Sequence, residues 1–119
     1  MSEHVNVRAA SKDDEEVFFH WRNLPWVVEL GGTGTVDLAE HRSWFAESLE
    51  GRRCLFVVEV DKRAAGMVRY DIRNEEEAEV SIYLMPEFAG RGIGTQAFLR
   101  SFTILLSQRQ RIDKLEARV

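Results

Sequence analysis

The alternation of apolar and polar positions sets out the chain's elements before any single residue is considered. Val5-Asn6-Val7-Arg8-Ala9 alternates and predicts a first strand. Ser11 stands as an N-cap, with Asp13, Asp14 and Glu15 in the first turn, where the helix dipole favours acids. Val17, Phe18 and Trp21 follow at helical spacing, and Asn23-Leu24-Pro25 ends the helix, because a proline disfavours helical geometry at the residue before it. Pro25 to Val36, with Gly31, Gly32 and Gly34, reads as an irregular, mobile loop. Asp37 opens a second helix, and Glu40 completes a capping box. Leu38, His41, Phe45 and Leu49 share one face, Trp44 and Ser48 flank it, and Gly51 closes the helix.

Cys54 to Val60 is almost continuously apolar, the pattern of a strand covered on both faces. Asp61 to Ala64 forms a tight turn, and Gly66 to Ile72 is the next strand, with Met67, Arg69 and Asp71 on one face and Val68, Tyr70 and Ile72 on the other. Asn74 to Glu77 is a polar hairpin turn. Ala78 to Leu84 returns as a strand, with Glu79, Ser81 and Tyr83 opposite Ala78, Val80, Ile82 and Leu84. A helix follows from about Ile93 to about Gln108, with a broad apolar stripe of Ile93, Ala97, Phe98, Phe102, Leu105 and Leu106. Leu115 to Val119 begins a last strand. The order is β-α-α-β-β-β-α-β, an α/β (α+β) chain read as a single domain over residues 1–119.

Composition narrows the partners. The formal net charge is −4, so no cationic surplus exists to neutralise a nucleic-acid backbone, and nucleic acid is not expected as a partner. No apolar run approaches the ~20 residues that span a bilayer, and the first residues carry no apolar signal region; no membrane association is expected, and the chain reads as cytoplasmic. Cys54 is the single cysteine and lies in an apolar run, as a structural thiol does. No cluster has metal-ligand spacing, so no metal is expected.

Between the last long strand and the last helix lies Pro86-Glu87-Phe88-Ala89-Gly90-Arg91-Gly92-Ile93-Gly94-Thr95. A glycine-rich turn leading into a helix N-terminus offers backbone amides and a positive dipole end to an anion. Thr95 stands where a dinucleotide fingerprint needs its last glycine, and no lysine follows Gly94 as a Walker loop requires. The stretch resembles instead the pyrophosphate loop of the GNAT superfamily of acyl-CoA-dependent N-acyltransferases, whose signature is Q/R-x-x-G-x-G/A. Gly92 and Gly94 match its glycine positions; Ala89 stands at the Q/R position, and Arg91 supplies a basic residue nearby. The resemblance covers essentially the whole chain. Trp21-Arg22-Asn23, His41-Arg42-Ser43-Trp44-Phe45 and Glu79-Val80-Ser81-Ile82 are similar to the subgroup that acetylates nucleotide-linked amino sugars, as in pseudaminic acid biosynthesis.

The resemblance implies a mixed, mainly antiparallel sheet flanked by helices, acetyl-CoA as co-substrate and a primary amine as acceptor. It implies that Ile82, Tyr83 and Leu84 bind the pantetheine arm through their backbone, and that Arg91, Gly92, Ile93, Gly94 and Thr95 hold the pyrophosphate. Glu79 takes the position of the general base, or is a solvated strand-end carboxylate. Tyr83 acts as the acid that protonates the leaving thiolate, or packs as a half-buried aromatic. Arg22, Asn23, Trp26 and His41 are substrate-side candidates, each with a structural alternative: loop solvation for Arg22 and Asn23, core covering for Trp26, a ring satisfied by its neighbours for His41. The family continues past the last strand with a further helix and strand that this sequence does not contain. The open edge expected there would pair with a second copy in a homodimer. It also keeps a different class of function in view: a non-catalytic CoA-binding or protein-interaction domain, or a fragment of a larger acetyltransferase.

Overall fold

A computed structural model describes residues 4–31, 34–109 and 111–117. Gly32 of the expected loop, and the last two positions of the expected final strand, lie outside the described residues. Among the described residues, five strands form one sheet in sequence order: β1 (Val5–Ala9), β2 (Arg53–Val60), β3 (Arg63–Ile72), β4 (Glu77–Leu84) and β5 (Lys114–Ala117). The first three pairings are antiparallel; β4 and β5 pair in parallel, from Glu77 opposite Lys114 to Val80 opposite Ala117. The helices are α1 (Glu15–Arg22), α2 (Pro25–Gly31), α3 (Leu38–Glu47) and α4 (Ile93–Gln108). This is the mixed, mainly antiparallel sheet with flanking helices that the resemblance implies.

Two cores lie on opposite faces of the sheet. On one, Phe56, Val58, Val68, Tyr70 and Val80 pack with Ile93, Ala97 and Leu105 of α4. On the other, Leu55, Val57 and Met67 meet Phe18, Trp21 and Phe45 of α1 and α3. The interior strand β2 is therefore covered on both sides, which explains its unbroken apolar run. A buried hydrogen bond ties sheet to helix, 2.9 Å between the Tyr70 hydroxyl and Ser101 Oγ.

Four local expectations are corrected. Pro25 to Val36 is not a loop throughout: Pro25 begins α2, because a proline at a first helical position lacks only an N–H that has no intrahelical partner anyway. Ser11 caps a short 3₁₀ turn, Lys12–Asp14, before α1 begins; Asp14 accepts from the Ser11 amide and forms a two-pronged ion pair with Arg8, both contacts 2.8 Å. The β2–β3 turn is two residues, Asp61 and Lys62, both at positive φ, and Arg63 already belongs to β3. Leu38 and Leu49 do not share the buried face of α3: they are exposed, whereas His41 and Phe45 are buried. The chain widens into a non-α turn over Ser48–Arg52, and Gly51 turns at φ 110°, which carries Leu49 off the α3 face.

One irregularity bears on β4. Between Val58 and Glu59 the β2–β3 register slips by a residue, a bulge. Beside it, Gly66 lies opposite Leu84, and the Ala65 carbonyl accepts from the Met85 amide at 2.7 Å. A Cβ on Gly66 would strike the Tyr83 carbonyl and come within 2.9 Å of the Leu84 Cα. Only glycine allows β4 to lie this close.

Candidate active site

Cross-strand register assembles the site. Arg53 lies opposite Asp71, Leu55 opposite Arg69 and Val57 opposite Met67; Asp71, Arg69 and Met67 in turn lie opposite Glu79, Ser81 and Tyr83. Paired residues share a face, so the face that carries Leu55, Val57 and Met67 turns charged at its other end. The helices α1 to α3 cover the apolar part. The remainder is a cleft of about 460 Å³ bordered by Arg22, Val27, Val28, Trp44, Arg53, Met67, Arg69, Asp71, Ser81 and Tyr83 among others.

Three buried side-chain atoms among the described residues have no hydrogen-bond partner, and all three belong to residues of this cleft: the Tyr83 hydroxyl, Ser81 Oγ and Arg53 Nη1. Unpartnered buried polar atoms are costly and concentrate where a ligand or water completes them. Tyr83 stands edge-on to Trp21 and Trp26, with ring centroids 6.2 and 5.9 Å away. Burial pushes its phenol above the ordinary range, and the positive charges of Arg22 and Arg69 oppose the shift. The phenol is therefore protonated at neutral pH and can donate.

Three arginines border the same cleft. The Arg22 guanidinium lies 4.3 Å from the centre of the Trp44 ring and that of Arg53 5.4 Å. Asp71 holds Arg53 at 3.2 Å through one oxygen and Arg69 at 3.0 Å through the other. His41, fully buried, places Arg22 from behind. Its Nε2 lies 3.0 Å from the Glu15 carbonyl, which can only accept, so Nε2 carries the proton. Nδ1 is then bare and accepts from Arg22 Nη1 at 3.2 Å. Burial holds the imidazole below its ordinary range, and the Arg22 charge adds to that.

The structure separates the candidate residues into groups. Arg22, Ile82 and Tyr83 border the cleft. Asn23 does not: it caps α1 and is engaged with the Phe19 and Val36 carbonyls and the Val36 amide, clamping the chain ahead of α3. Trp26 packs on Tyr83 from α2. His41 sits behind Arg22. Glu79 shares the cleft face but lies beyond its lining, where its carboxylate accepts from Arg73, which also binds Glu116 on β5 at 2.9 Å. Reading the sequence alone did not single out Arg53, Arg69, Asp71 or Ser81. Their signal was the run of charged residues on one face of two successive strands.

The glycine loop follows the C-terminal end of β4. After a 3₁₀ turn, Pro86–Phe88, the chain passes Gly90 and Gly92, both in the left-handed region, and Gly92 at φ 74° is the N-cap of α4. No side chain caps the helix, and helix geometry gives the Ile93, Gly94 and Thr95 amides no intrahelical acceptor. A Cβ on Gly90 or Gly92 would meet nothing within 4 Å, so the loop faces open space. The Arg91 guanidinium stands 5.9 Å from the Phe88 ring. Described β4–β5 pairing ends at Val80, and an apolar groove bordered by Val80, Ile82, Phe98, Leu115 and Ala117 lies at this junction. An amide-rich helix start, a strand edge and an apolar groove together fit a ligand that is a diphosphate at one end and a slender amide-bearing chain along its length.

Residues 4–119 match the family described as an acetyltransferase (GNAT) domain. The chain belongs to the GNAT acetyltransferase family. It is an acyl-CoA-dependent N-acyltransferase. Among solved structures, the GNAT domain is similar to the aminoglycoside acetyltransferase AAC(6')-Ib in complex with coenzyme A, with a TM-score of 0.77 and 16% identity over 96% of this chain and 73% of that one. It is similar to a predicted acetyltransferase with acetyl-CoA from Clostridium acetobutylicum, with a TM-score of 0.74 and 16% identity over 98% and 81%. Spermidine N-acetyltransferase from Vibrio cholerae, in complex with CoA and spermine, gives a TM-score of 0.74 at 18% identity over 87% and 64%. A comparison with curated proteins finds no match. No helix among the described residues is long and apolar enough to cross a membrane.

Proposed function

We propose that this chain acetylates a primary amine of a nucleotide-linked amino sugar, with residues 1–119 acting as one acyl-CoA-binding domain. The observation that carries the reading is the buried, unpartnered Tyr83 hydroxyl at the cleft, next to the end of β4 that leads into the amide-rich start of α4. In the reaction the uncharged amine nitrogen bonds to the acetyl carbonyl carbon, the carbon–sulfur bond breaks, the amine loses a proton and the thiolate gains one. Tyr83, kept protonated by burial, supplies the proton to sulfur. Glu79, on the same face, takes the amine proton through water, since an ammonium of pKa ~10 needs help to deprotonate at neutral pH. Ile82 to Leu84 bind the pantetheine arm, and the amides of Arg91 to Thr95, with the positive end of α4, bind the diphosphate.

Charge supports this acceptor class. Aminoglycosides and spermine, the ligands of structural neighbours, are polycations, whereas three arginines and one aspartate border this cleft. A sugar amine that carries phosphate suits it better. The test is acetyl transfer from acetyl-CoA to nucleotide-linked amino sugars by wild type and Tyr83→Phe. Loss of the phenol is expected to lower kcat by about 100-fold with little change in KM, the scale of a general acid. Equal kcat in the two proteins would remove Tyr83 from the mechanism. Wild type that transfers to no amino sugar while acetylating other amines would overturn the acceptor.

A further inference from the structure

We propose that Arg22, Arg53 and Arg69 form an oxyanion subsite that binds a phosphate or carboxylate group on the acceptor amine. The proposal rests on the acetyltransfer reading for the amine's identity as acceptor, but the subsite stands on its own geometry. The three guanidiniums are held in one chain of contacts: Arg22 on Trp44 at 4.3 Å, Arg53 on the same ring at 5.4 Å, then Asp71 between Arg53 and Arg69 at 3.2 and 3.0 Å. Each is fixed by something other than a ligand: His41 and Trp44 fix Arg22, and Asp71 orients the other two. Preorganised forks of this kind bind a planar or tetrahedral oxyanion with more than one donor.

The charges are unbalanced. Three arginines less one aspartate leave an excess of two positive charges at the cleft wall, in a chain whose net charge is −4. Glu47 stands 3.9 Å from Arg53 Nη1, too far for a hydrogen bond, and that buried Nη1 has no acceptor. Arg22 feels the imbalance: after burial, the charges of Arg69 and Arg53 lower its proton affinity. A bound oxyanion answers both features, giving Nη1 an acceptor and offsetting the repulsion. Ser81 Oγ, also unpartnered, lies opposite Arg69 across the β3–β4 ladder and adds a hydroxyl to the same wall. Such a cleft also draws anionic acceptors toward an otherwise acidic protein.

The experiment compares amines that differ only in the anion: a hexosamine against the same hexosamine bearing a phosphate, and a long ω-amino acid against its methyl ester. Transfer from acetyl-CoA is read as kcat/KM. Binding is read separately from the Nε–H resonances of Arg22, Arg53 and Arg69 as hexosamine phosphate is added, with CoA saturating so that the start of α4 is already occupied. The anionic partner is expected to be preferred by at least about tenfold, and Arg53→Gln and Arg69→Gln each to reduce that preference by about tenfold. Arg69→Lys keeps the charge without the fork and should reduce it less; it carries the comparison if a glutamine variant melts. Arginine resonances that shift and saturate without any acetylation support the subsite, and the transferase reading alone fails. Equal kcat/KM for neutral and anionic partners, or arginine resonances that stay still at millimolar hexosamine phosphate, overturn the subsite and leave the transferase reading untouched. Preference in the ω-amino acid pair but not in the phosphate pair identifies carboxylate as the anion.

Discussion

Gly66→Ala tests whether the close approach of β3 to the end of β4 positions the strand proposed to bind CoA. The added methyl would strike the Tyr83 carbonyl and lie 2.9 Å from the Leu84 Cα and from its Cδ2. Two of those three atoms are backbone in a paired strand, so relief requires moving β4 and not merely turning a side chain. Overpacking of this kind costs about 1–3 kcal/mol, and backbone contact puts this site at the upper end, about 3 kcal/mol. Replacing a strand glycine recovers about 0.5–1 kcal/mol of backbone entropy, which leaves a net loss of about 2 kcal/mol. For a chain of 119 residues that is a fall in Tm of roughly 6–10 °C. The displaced atoms are those of Tyr83 and Leu84, so CoA affinity should drop about tenfold or more beyond the change in stability. The assays are thermal unfolding and CoA titration at a temperature where both proteins are folded. Gly94→Ala is the stability control: its Cβ meets only Leu84 Cδ1, at 3.9 Å, and an alanine in α4 should leave Tm level or raise it. A Gly66→Ala protein with unchanged Tm and unchanged CoA affinity would refute the argument at both steps.

The remaining predictions concern single sites. Gly92→Ala forces a Cβ into the left-handed region at φ 74°, a cost of about 1–2 kcal/mol that should appear as a lower Tm and weaker CoA binding. Asp14→Ala removes the two 2.8 Å contacts with Arg8 and the acceptor of the Ser11 amide, and should destabilise by about 1.5 kcal/mol in urea unfolding. His41 is held below its ordinary range by burial, so the unfolded chain binds its proton more readily. Its contribution is complete above about pH 6.5 and is lost as pH falls from there toward its folded value. His41→Gln should flatten this part of the stability profile, and an unchanged slope would show that the buried imidazole does not titrate with unfolding.

Much of the fold was legible because pattern and environment agree. Alternation in β3 and β4 matches their two faces, the unbroken run in β2 matches cover on both sides, and the stripe of α4 lies on the larger core. The errors fall where one residue has two meanings. Pro25 both ends α1 and begins α2, and the stop was the more visible signal. Leu49 continues the apolar spacing of α3, but the widening after Glu47 turns it outward at 44% exposure. The glycine loop was legible as a turn into the start of α4, since that geometry is local. The cleft was legible only in part. Arg53, Arg69, Asp71 and Ser81 are close only through the β2–β3–β4 register, and a single strand's pattern does not reveal its neighbour's.

The two faces of the sheet explain why the cleft lies where it does. Facing α4, the large buried residues of β2, β3 and β4 are apolar or, for Tyr70, satisfied within the core. The opposite face is apolar only where Leu55, Val57 and Met67 meet α1 and α3. Beyond them the same strands present Arg53, Arg69, Asp71, Ser81 and Glu79. Helices cannot close over that end without burying charges that water now stabilises, so the apolar half of the face fixes the helices and the charged half leaves the opening. Tyr83 belongs to both halves: its ring packs against Trp21 and Trp26, while its hydroxyl is left without a partner at the cleft. The packing that stabilises the ring therefore also raises the phenol's proton affinity and aims it. This is why changes at Trp21 or Trp26 should disturb the proton donation proposed for Tyr83 as well as stability, whereas changes in the α4 core should disturb stability alone.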